Sequence, residues 1–360
     1  MRAATLVVRS YRNLADAELE LPNEGLALVG PNGHGKTNLL EALAYPVLFR
    51  SFRGAADREV GRFGGPGFHV ALTRSDGVTV AATFNAATRQ KRIAVDGEEY
   101  RTISAALGRW LAVAFLPADL SLVRGGAGER RRWLDRTLSL ADSEYLAALL
   151  RYRTALAQRN AALRHGDARA AAAFDAPLAG PGATLVERRM AWADWADRAW
   201  CDELAAVGET ATVALRYRGD EALRDAAAWP GKLAAAAARD LARGHSHVGP
   251  HRHDLALSLD GHALRDYGST GQQRSAAVAL RLLEWDTLAR ARGVNPALLV
   301  DDVFAELDPR RQASLAARLA AQPGQRIITA PRADELPPGL DLPRWTMAAG
   351  RAVPAVAAAA

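Results

Sequence analysis

The sequence predicts an α/β fold in which residues 1–123 and 245–360 together form one head and residues 124–244 form an inserted helical arm. Three observations predict this arrangement. Near the N-terminus, an apolar run, a glycine-rich loop and a helix-like segment follow one another between residues 26 and 43. Apolar residues recur at helical spacing through the middle of the chain. Strand-like apolar runs return after residue 244.

The individual elements follow from local patterns. N-terminal strands are indicated by β-branched runs or apolar/charged alternation at 4–8, 17–21, 69–72, 78–81 and 91–95. In the arm, helices are predicted over 130–164 and 183–213, and the Ala/Pro/Gly-rich stretch 167–182 is predicted to loop between them. C-terminal strands are predicted at 255–259, 297–300 and 326–329, with a helix at 275–290. The alanine-rich end from residue 352 is expected to fray.

Composition limits the kind of protein and the kind of partner. The 360 residues carry a net charge of +6, which favours an anionic partner such as nucleic acid, although an arginine-rich genome bias would produce the same excess. Cys201 is the only cysteine, so no intramolecular disulfide can form. The sequence contains no long apolar segment, which predicts a cytoplasmic protein with no membrane partner.

A phosphate-binding loop is the most informative local motif. The pattern G-x-x-x-x-G-K-T is formed by Gly30, Pro31, Asn32, Gly33, His34, Gly35, Lys36 and Thr37. Its glycines let successive backbone N–H groups turn toward a phosphate chain. Lys36 can then reach the β- and γ-phosphates, and the Thr37 hydroxyl can hold Mg²⁺. All eight residues are therefore predicted to bind a nucleotide.

Two adjacent carboxylates follow the apolar run 298–300. In a nucleotide site, Asp301 can orient Mg²⁺ through water, and Asp302 can polarise the attacking water. Such a pair is common by chance, but the upstream P-loop and the segment 304–309 directly after it favour a catalytic interpretation. The predicted catalytic residues are thus Lys36, Asp301 and Asp302, and the predicted magnesium ligands are Thr37 and Asp301.

A second anion-binding helix start is indicated at 268–274. Ser269 can cap this helix, and the free N–H groups of its first turn can bind an anion. An ordinary capped helix would give the same pattern. Because the P-loop already holds one nucleotide, Ser269, Gly271 and Gln272 suggest a nucleotide sandwiched between two copies of the chain. Ser269 of one copy would then meet the γ-phosphate held by Lys36 of the other.

Together these motifs resemble the ABC-type ATPase heads of the SMC group and, within that group, the RecF family of bacterial DNA gap-repair proteins. The stretches that carry the resemblance cover almost the whole chain and are 32–42, 50–53, 116–120, 125–135, 158–160, 249–254, 271–274, 301–303 and 306–308. Two residues depart from the family pattern. His253 stands where an acidic residue is usual, and Ala305 stands where a serine is usual. The second departure concerns a hydrogen bond across the dimer seam and not nucleotide binding.

The resemblance implies an ABC-type P-loop ATPase head, with ATP and Mg²⁺ as cofactors, that forms an ATP-dependent homodimer. It also implies binding to DNA, whether single-stranded, gapped or at duplex junctions, and slow ATP hydrolysis used as a switch. RecO- and RecR-like partners in recombinase loading, gap repair, replication restart and SOS induction are implied as well. Two other hypotheses stay open. One is the ATPase subunit of a membrane transporter, which gives the inserted arm no role, and the other is a nucleotide-gated scaffold in which hydrolysis is incidental.

Four histidines between residues 245 and 253 form a conspicuous cluster. A metal site is one interpretation, but no cysteine is near and the spacing matches no recognisable ligand set. The other interpretation is a loop in which His251 and Arg252 contact phosphate or brace the nucleotide. The histidines are His245, His247, His251 and His253.

Basic residues gather in two further places. A run at a helix start fits either a solvated face or a contact with the DNA backbone, and it consists of Arg130, Arg131, Arg132 and Arg136. A second candidate for DNA contact is a hairpin that carries Arg89, Lys91 and Arg92. Three tryptophans of the arm are expected to pack in the core rather than to stack on bases, and these are Trp192, Trp195 and Trp200.

Overall fold

The structure is a computed structural model that describes residues 1–355. Its strands are β1 (Ala3–Arg9), β2 (Ala17–Glu20), β3 (Gly25–Val29), β4 (Gly67–Arg74), β5 (Thr79–Asn85), β6 (Gln90–Val95), β7 (Glu98–Tyr100), β8 (Ala112–Phe115), β9 (Val213–Arg218), β10 (Asp254–Leu259), β11 (His262–Ala263), β12 (Ala297–Asp301), β13 (Arg326–Ala330), β14 (Arg344–Ala348) and β15 (Arg351–Pro354). Its helices are α1 (Lys36–Leu48), α2 (Asp57–Val60), α3 (Ile103–Ala106), α4 (Leu120–Arg124), α5 (Ala127–Ala141), α6 (Ser143–Arg164), α7 (Ala168–Ala172), α8 (Asp175–Ala206), α9 (Trp229–Arg243), α10 (Leu264–Tyr267), α11 (Thr270–Arg292) and α12 (Pro309–Ala321).

The chain divides into two compact units. The first contains Met1–Asp119, Ala206–Gly208 and the described residues from Glu284 onward, and the second contains Leu120–Ala205 and Glu209–Leu283. Residues 245–283, which are predicted from the sequence to be part of the head, belong to the second unit. The reason is strand pairing, because β10 runs antiparallel to β9 along its whole length.

The first unit is built around a sheet with the strand order β15–β14–β3–β13–β12–β8. Strands β14, β3, β13, β12 and β8 are parallel to their neighbours, and only the β14–β15 hairpin at one edge is antiparallel. β12 is buried along its full length, as expected for an all-apolar run in a parallel sheet. The carboxyl ends of β3, β12 and β13 therefore meet at one edge of the sheet, where loops carry polar side chains.

A second, antiparallel sheet of the first unit has the order β2–β1–β4–β5–β6–β7. Helix α1 packs against it through an aromatic cluster in which the rings of Tyr45 and Phe68 lie 5.2 Å apart and those of Tyr11 and Phe68 lie 5.5 Å apart. All three rings are buried, and their edge-to-face geometry is the favoured one for aromatic pairs. The cluster fixes helix α1, and with it the loop that precedes the helix.

The second unit is mainly helical, with a small sheet in the order β11–β10–β9. Its core includes the rings of Trp133 and Trp192, 5.5 Å apart in edge-to-face contact. Trp192 and Trp200 are buried, so their predicted role in core packing is confirmed, and Trp195 is half-buried against Trp192.

The prediction of a loop over 167–182 is wrong. Helix α7 and the first two turns of helix α8 occupy this stretch, and Pro181 lies inside helix α8. The cause is tertiary packing, which overrides the low helix propensity of proline and glycine. Gly182 is required where it stands, because a Cβ there would come within 2.2 Å of the Trp229 ring.

The C-terminal end also differs from its prediction. Residues 351–354 form β15 instead of fraying, while 356–360 lie outside the described residues. Among the helices of residues 1–355, none has both the length and the apolar character needed to cross a membrane.

Candidate functional site

The P-loop connects β3 to α1 at the carboxyl edge of the parallel sheet. Gly33 and Gly35 have φ of +79° and +112°, a region that favours glycine. Gly30 is confined by packing, since a Cβ would lie 2.2 Å from the carbonyl oxygen of Met347. The loop opens onto a cleft of about 440 Å³. The cleft is lined by Asn32, Gly33, Gly35, Lys36, Thr37, Asn38, Arg53 and Asp302.

Lys36 is buried at the start of helix α1, with 4% of its surface exposed. Its Nζ donates to the carbonyl oxygen of Gly30 at 2.7 Å and to Oδ1 of Asn32 at 3.3 Å, and it lies 3.9 Å from Oδ2 of Asp302. Phosphate oxygens bind an ammonium more strongly than neutral carbonyls do. The loop therefore suits a phosphate chain, with Lys36 already at the cleft.

The two carboxylates lie beside the P-loop, and a hydroxyl from the neighbouring strand joins them. Oγ1 of Thr37 donates to Oδ1 of Asp301 at 2.9 Å. The Thr329 hydroxyl lies 3.0 Å from Oδ1 of Asp301 and 2.9 Å from Oδ1 of Asp302. The backbone N–H of Asp302 donates to this hydroxyl at 3.0 Å. Asp302 has a φ of +50°, a strained value that these contacts hold in place.

Burial raises the pKa of Asp301 above its ordinary value, while its hydrogen bonds to Thr37 and Thr329 and the nearby charge of Arg53 oppose the rise. A buried carboxylate next to a hydroxyl is a hard-oxygen set of the kind that Mg²⁺ prefers. A divalent cation would also stabilise the ionised form of Asp301. The residues present thus fit Mg²⁺, with Thr37 and Asp301 as the groups that would hold it.

Arg53 is a cleft residue to which the sequence analysis gave no role. Its backbone N–H donates to Oγ of Ser51 at 3.1 Å, and that hydroxyl donates in turn to Glu41. Glu41 lies on α1, is fully buried, and accepts two hydrogen bonds from the Arg12 guanidinium at 2.8 and 3.0 Å. The helix that carries Lys36 therefore also anchors the segment that carries Arg53. The only sequence feature that pointed to Arg53 was the stretch 50–53, which contributes to the family resemblance but contains no recognisable binding motif.

The turn between β14 and β15 braces the P-loop, a contact that no local sequence pattern indicates. The backbone N–H of Gly350 donates to the carbonyl oxygen of His34 at 3.0 Å, and that of Ala349 donates to Nδ1 of His34 at 3.2 Å. Gly350 has a φ of +78°, and a Cβ there would lie 2.1 Å from the carbonyl oxygen of Asn13. Nδ2 of Asn13 donates to Gly33 at 3.0 Å. His34 thus faces the hairpin turn.

The predicted second anion site lies in the other compact unit. Ser269 caps α11, since its Oγ accepts from the backbone N–H of Gln272 at 3.3 Å and its own N–H donates to Oε1 of Gln272 at 2.9 Å. Nε2 of Gln272 also donates to Glu209 at 3.3 Å. The predicted cap is confirmed. Lys36, Thr37 and Asp302 line one cleft in the first unit, and Asp301 contacts Thr37 beside it, whereas Ser269, Gly271 and Gln272 belong to the second unit.

The histidines of the 245–253 segment contact other residues of the same chain. The rings of His245 and His247 stack 4.4 Å apart, and His247 contacts Asp240 at 2.8 Å. Burial, the largest cause, lowers the pKa of both His251 and His253 to about 4. Within residues 1–355, no three His, Cys, Asp or Glu side chains gather in an arrangement that could hold a metal.

Most side chains of the predicted basic clusters are also engaged internally. Arg130 forms a two-pronged ion pair with Asp254 at 2.7 and 2.9 Å, and Arg132 pairs with Glu129. Lys91 of the β5–β6 hairpin pairs with Asp57 at 2.9 Å. These side chains therefore form neither a purely solvated face nor a face that is free to bind DNA, because their charges already pair within the chain.

Comparison with known proteins places the chain in a family. A protein of Myxococcus xanthus named DNA replication and repair protein RecF is 37% identical over 346 residues, covering 91% of this chain and 90% of that protein. A protein of the same name from Geobacter sulfurreducens is 33% identical over 340 residues, covering 91% and 92%. No family model matches the chain.

Solved structures agree with the sequence relatives. The recombination mediator protein RecF-ATPrS of the RecFOR pathway superposes with a TM-score of 0.88 at 27% identity, over 98% of both chains. An SMC head domain from Pyrococcus furiosus has a TM-score of 0.58 at 14% identity, over 98% of this chain and 95% of that chain, and indicates a shared fold only. The predicted fold class, an ABC-type P-loop ATPase head with a helical insertion, is confirmed. The chain belongs to the RecF family of DNA replication and repair proteins.

Proposed function

We propose that this protein is an ATP-dependent DNA-binding protein of recombinational gap repair, in which two copies enclose ATP. One observation carries the proposal. Lys36, Thr37 and Asp302 line one cleft beside the glycine-rich P-loop, and Asp301 accepts a hydrogen bond from Thr37. These contacts suit a phosphate chain and Mg²⁺. Solved relatives described as RecF-ATP and RecF-ATPrS support ATP as the nucleotide.

Each cleft residue has a distinct role in this proposal. Lys36 neutralises the β- and γ-phosphates, and Thr37 and Asp301 hold Mg²⁺, which supplies charge neutralisation at the phosphates when bound. Asp302 orients and polarises the attacking water. Its strained backbone, fixed by Thr329, aims the carboxylate toward the cleft that Lys36 lines.

The second half of the site comes from the partner copy. Ser269, Gly271 and Gln272 present the capped start of α11, and we place this helix start of one protomer against the γ-phosphate bound by the partner's P-loop. ATP would then act as the bridge that closes the homodimer on DNA, and slow hydrolysis would release it. A switch of this kind suits a cytoplasmic protein that works with RecO- and RecR-like partners at single-stranded, gapped or junction DNA, in recombinase loading, replication restart and SOS induction.

The test of the shared site is the Lys36→Ala variant. We expect it to remain monomeric at ATP concentrations that dimerise the wild type, measured by sedimentation velocity. Lys232→Ala is the matched control, because Lys232 is a half-exposed lysine paired with Asp220 at 2.7 Å and remote in sequence from the cleft. A normal ATP-bound dimer of Lys36→Ala would rule out the shared site.

The Asp302→Asn variant separates a hydrolytic switch from a scaffold in which hydrolysis is incidental. If hydrolysis opens the dimer, this variant should keep ATP and form a long-lived dimer on DNA, measured by dissociation kinetics after dilution. Asp334→Asn is the control, since Asp334 is an exposed acid outside the cleft. An unchanged dimer lifetime would favour the scaffold. The transporter hypothesis is not favoured, because the relatives are named as DNA replication and repair proteins.

A further inference from the structure

The turn 249–253 in the second unit is largely buried and is held in place by buried side chains. It forms one turn of 3₁₀ helix before β10. Gly249 has a φ of +129°, and a Cβ there would lie 2.2 Å from the Tyr152 hydroxyl. Nη1 of Arg189 donates to the carbonyl oxygen of Pro250 at 2.7 Å. Arg189 is itself only 2% exposed, so the turn rests on a buried cation.

The two histidines of the turn have both ring nitrogens occupied. Nε2 of His251 lies 3.0 Å from the carbonyl oxygen of Ser246, so it donates there and Nδ1 accepts from the Tyr152 hydroxyl at 2.6 Å. Nε2 of His253 accepts from the backbone N–H of Asp220 at 3.2 Å, and Nδ1 donates to the Tyr217 hydroxyl at 2.6 Å. Both rings are therefore neutral and serve as fixed supports. Neither ring is free to bind phosphate, contrary to one interpretation of His251 from the sequence.

Arg252 is the exception in this turn. Its side chain is exposed, and within residues 1–355 it makes no hydrogen bond and no ion pair. Arg131 stands beside it, since Nη1 of Arg131 donates to the carbonyl oxygen of His253 at 2.8 Å. Arg131 has no acidic partner within the described part of the chain, whereas Asp254 is taken by Arg130. Burial is the largest cause that lowers the pKa of Arg131. The nearby charges of Arg189 and Arg252 add to this shift, while those of Asp254 and Asp135 oppose it.

A lone exposed arginine is ordinary, but here a firmly held turn presents Arg252 near a second arginine, Arg131. Fixing the backbone in advance reduces the entropy lost on binding. A guanidinium pair matches the geometry of a phosphate group, which accepts several charge-assisted hydrogen bonds. We propose that Arg131 and Arg252 form a phosphate-binding site on the turn Gly249–His253. Its ligand is a phosphate group, either of the DNA backbone or of a nucleotide. This inference rests on the proposed function, because DNA and ATP are the ligands proposed there.

The experiment uses the full chain and the Arg252→Ala variant. The Arg252 side chain has no protein partner, so the melting temperature should not change. The DNA arm measures binding to gapped and single-stranded DNA without nucleotide at several salt concentrations. We expect roughly tenfold weaker binding and a salt slope reduced by about 0.7–0.9 for the lost contact. Arg252→Lys should retain part of the affinity. Arg169→Ala, an exposed arginine on helix α7, is the matched control and should behave as the wild type.

The nucleotide arm measures ATP-driven dimerisation without DNA. A loss there with unchanged DNA binding would assign the site to a nucleotide phosphate, and a loss confined to the DNA arm would assign it to the DNA backbone. Wild-type behaviour of both Arg252→Ala and Arg131→Ala in both arms would overturn the proposal and leave the turn a purely structural element. A wild-type protein that bound neither DNA nor ATP would instead refute the proposed function, so the two failures are distinguishable.

Discussion

Replacing Gly350 with alanine should weaken ATP binding although residue 350 lies outside the cleft lining. Alanine at a φ of +78° costs about 1–2 kcal/mol in backbone strain. Its Cβ would also lie 2.1 Å from the carbonyl oxygen of Asn13. An ordinary carbon–oxygen contact is about 3.3 Å, so one main-chain segment must move by roughly 1 Å. The movable segments are the hairpin turn bonded to His34 and the Asn13 loop bonded to Gly33.

Either movement displaces the P-loop, where a misplacement of about 1 Å is costly. We expect Kd for ATP, measured by isothermal titration calorimetry, to rise about tenfold, equivalent to about 1.4 kcal/mol. Gly339→Ala is the matched control, because Gly339 has a φ of +89° but nothing within 4 Å of its added Cβ. It should show the strain as a lower melting temperature and bind ATP normally. Equal melting temperatures and wild-type ATP affinity in both variants would refute the bracing role of the hairpin.

Two further predictions concern the second unit. Asp135→Asn should lower the free energy of unfolding by about 3–5 kcal/mol in urea titrations, because it leaves the buried Arg189, now 2.6 Å from a carboxylate oxygen, without its counter-charge. The control, Glu99→Gln in an exposed ion pair, should cost less than about 1 kcal/mol. A second prediction concerns pH: His251 and His253 take up a proton near pH 6.5 in the unfolded chain but only near pH 4 in the folded chain. The free energy of unfolding should therefore fall as the pH drops from 6.5 to 5, by about 2 kcal/mol for each histidine. His253→Gln should remove about half of that slope, and an unchanged slope in urea titrations would contradict it.

The residues that sequence reasoning found are those whose chemistry is local. The P-loop is read from eight consecutive residues, and its geometry follows from glycines at fixed positions. The capping of α11 by Ser269 involves residues three positions apart. Asp301 and Asp302 follow directly from the end of a buried strand. In each case the separation of the residues along the chain determines how close they lie in the folded protein.

The residues that it missed are placed by pairings distant in sequence. Thr329 reaches Asp301 because β12 and β13 are parallel neighbours in a register that pairs these two residues. Gly350 reaches His34 only because the β14–β15 hairpin lies at the edge of the sheet beside β3. A threonine at the end of an apolar strand and a glycine in a turn are ordinary in sequence. Their roles appear only once the strand order is known.

The same pairings explain why the cleft depends on the whole first unit. Its phosphate loop comes from residues 30–37, its carboxylates from residues 301 and 302 and its brace from residues 349 and 350. Gln325 likewise joins distant parts of the first unit, because its amide donates to the carbonyl oxygen of Ala3 and accepts from the backbone N–H of the same residue, each at 2.8 Å. Loop-closure entropy opposes contacts between residues so distant in sequence, and the pairing of the parallel strands compensates for that cost. The P-loop sequence alone therefore supplies the phosphate-binding groups, and the strand order of the finished unit gives them the geometry of a nucleotide site.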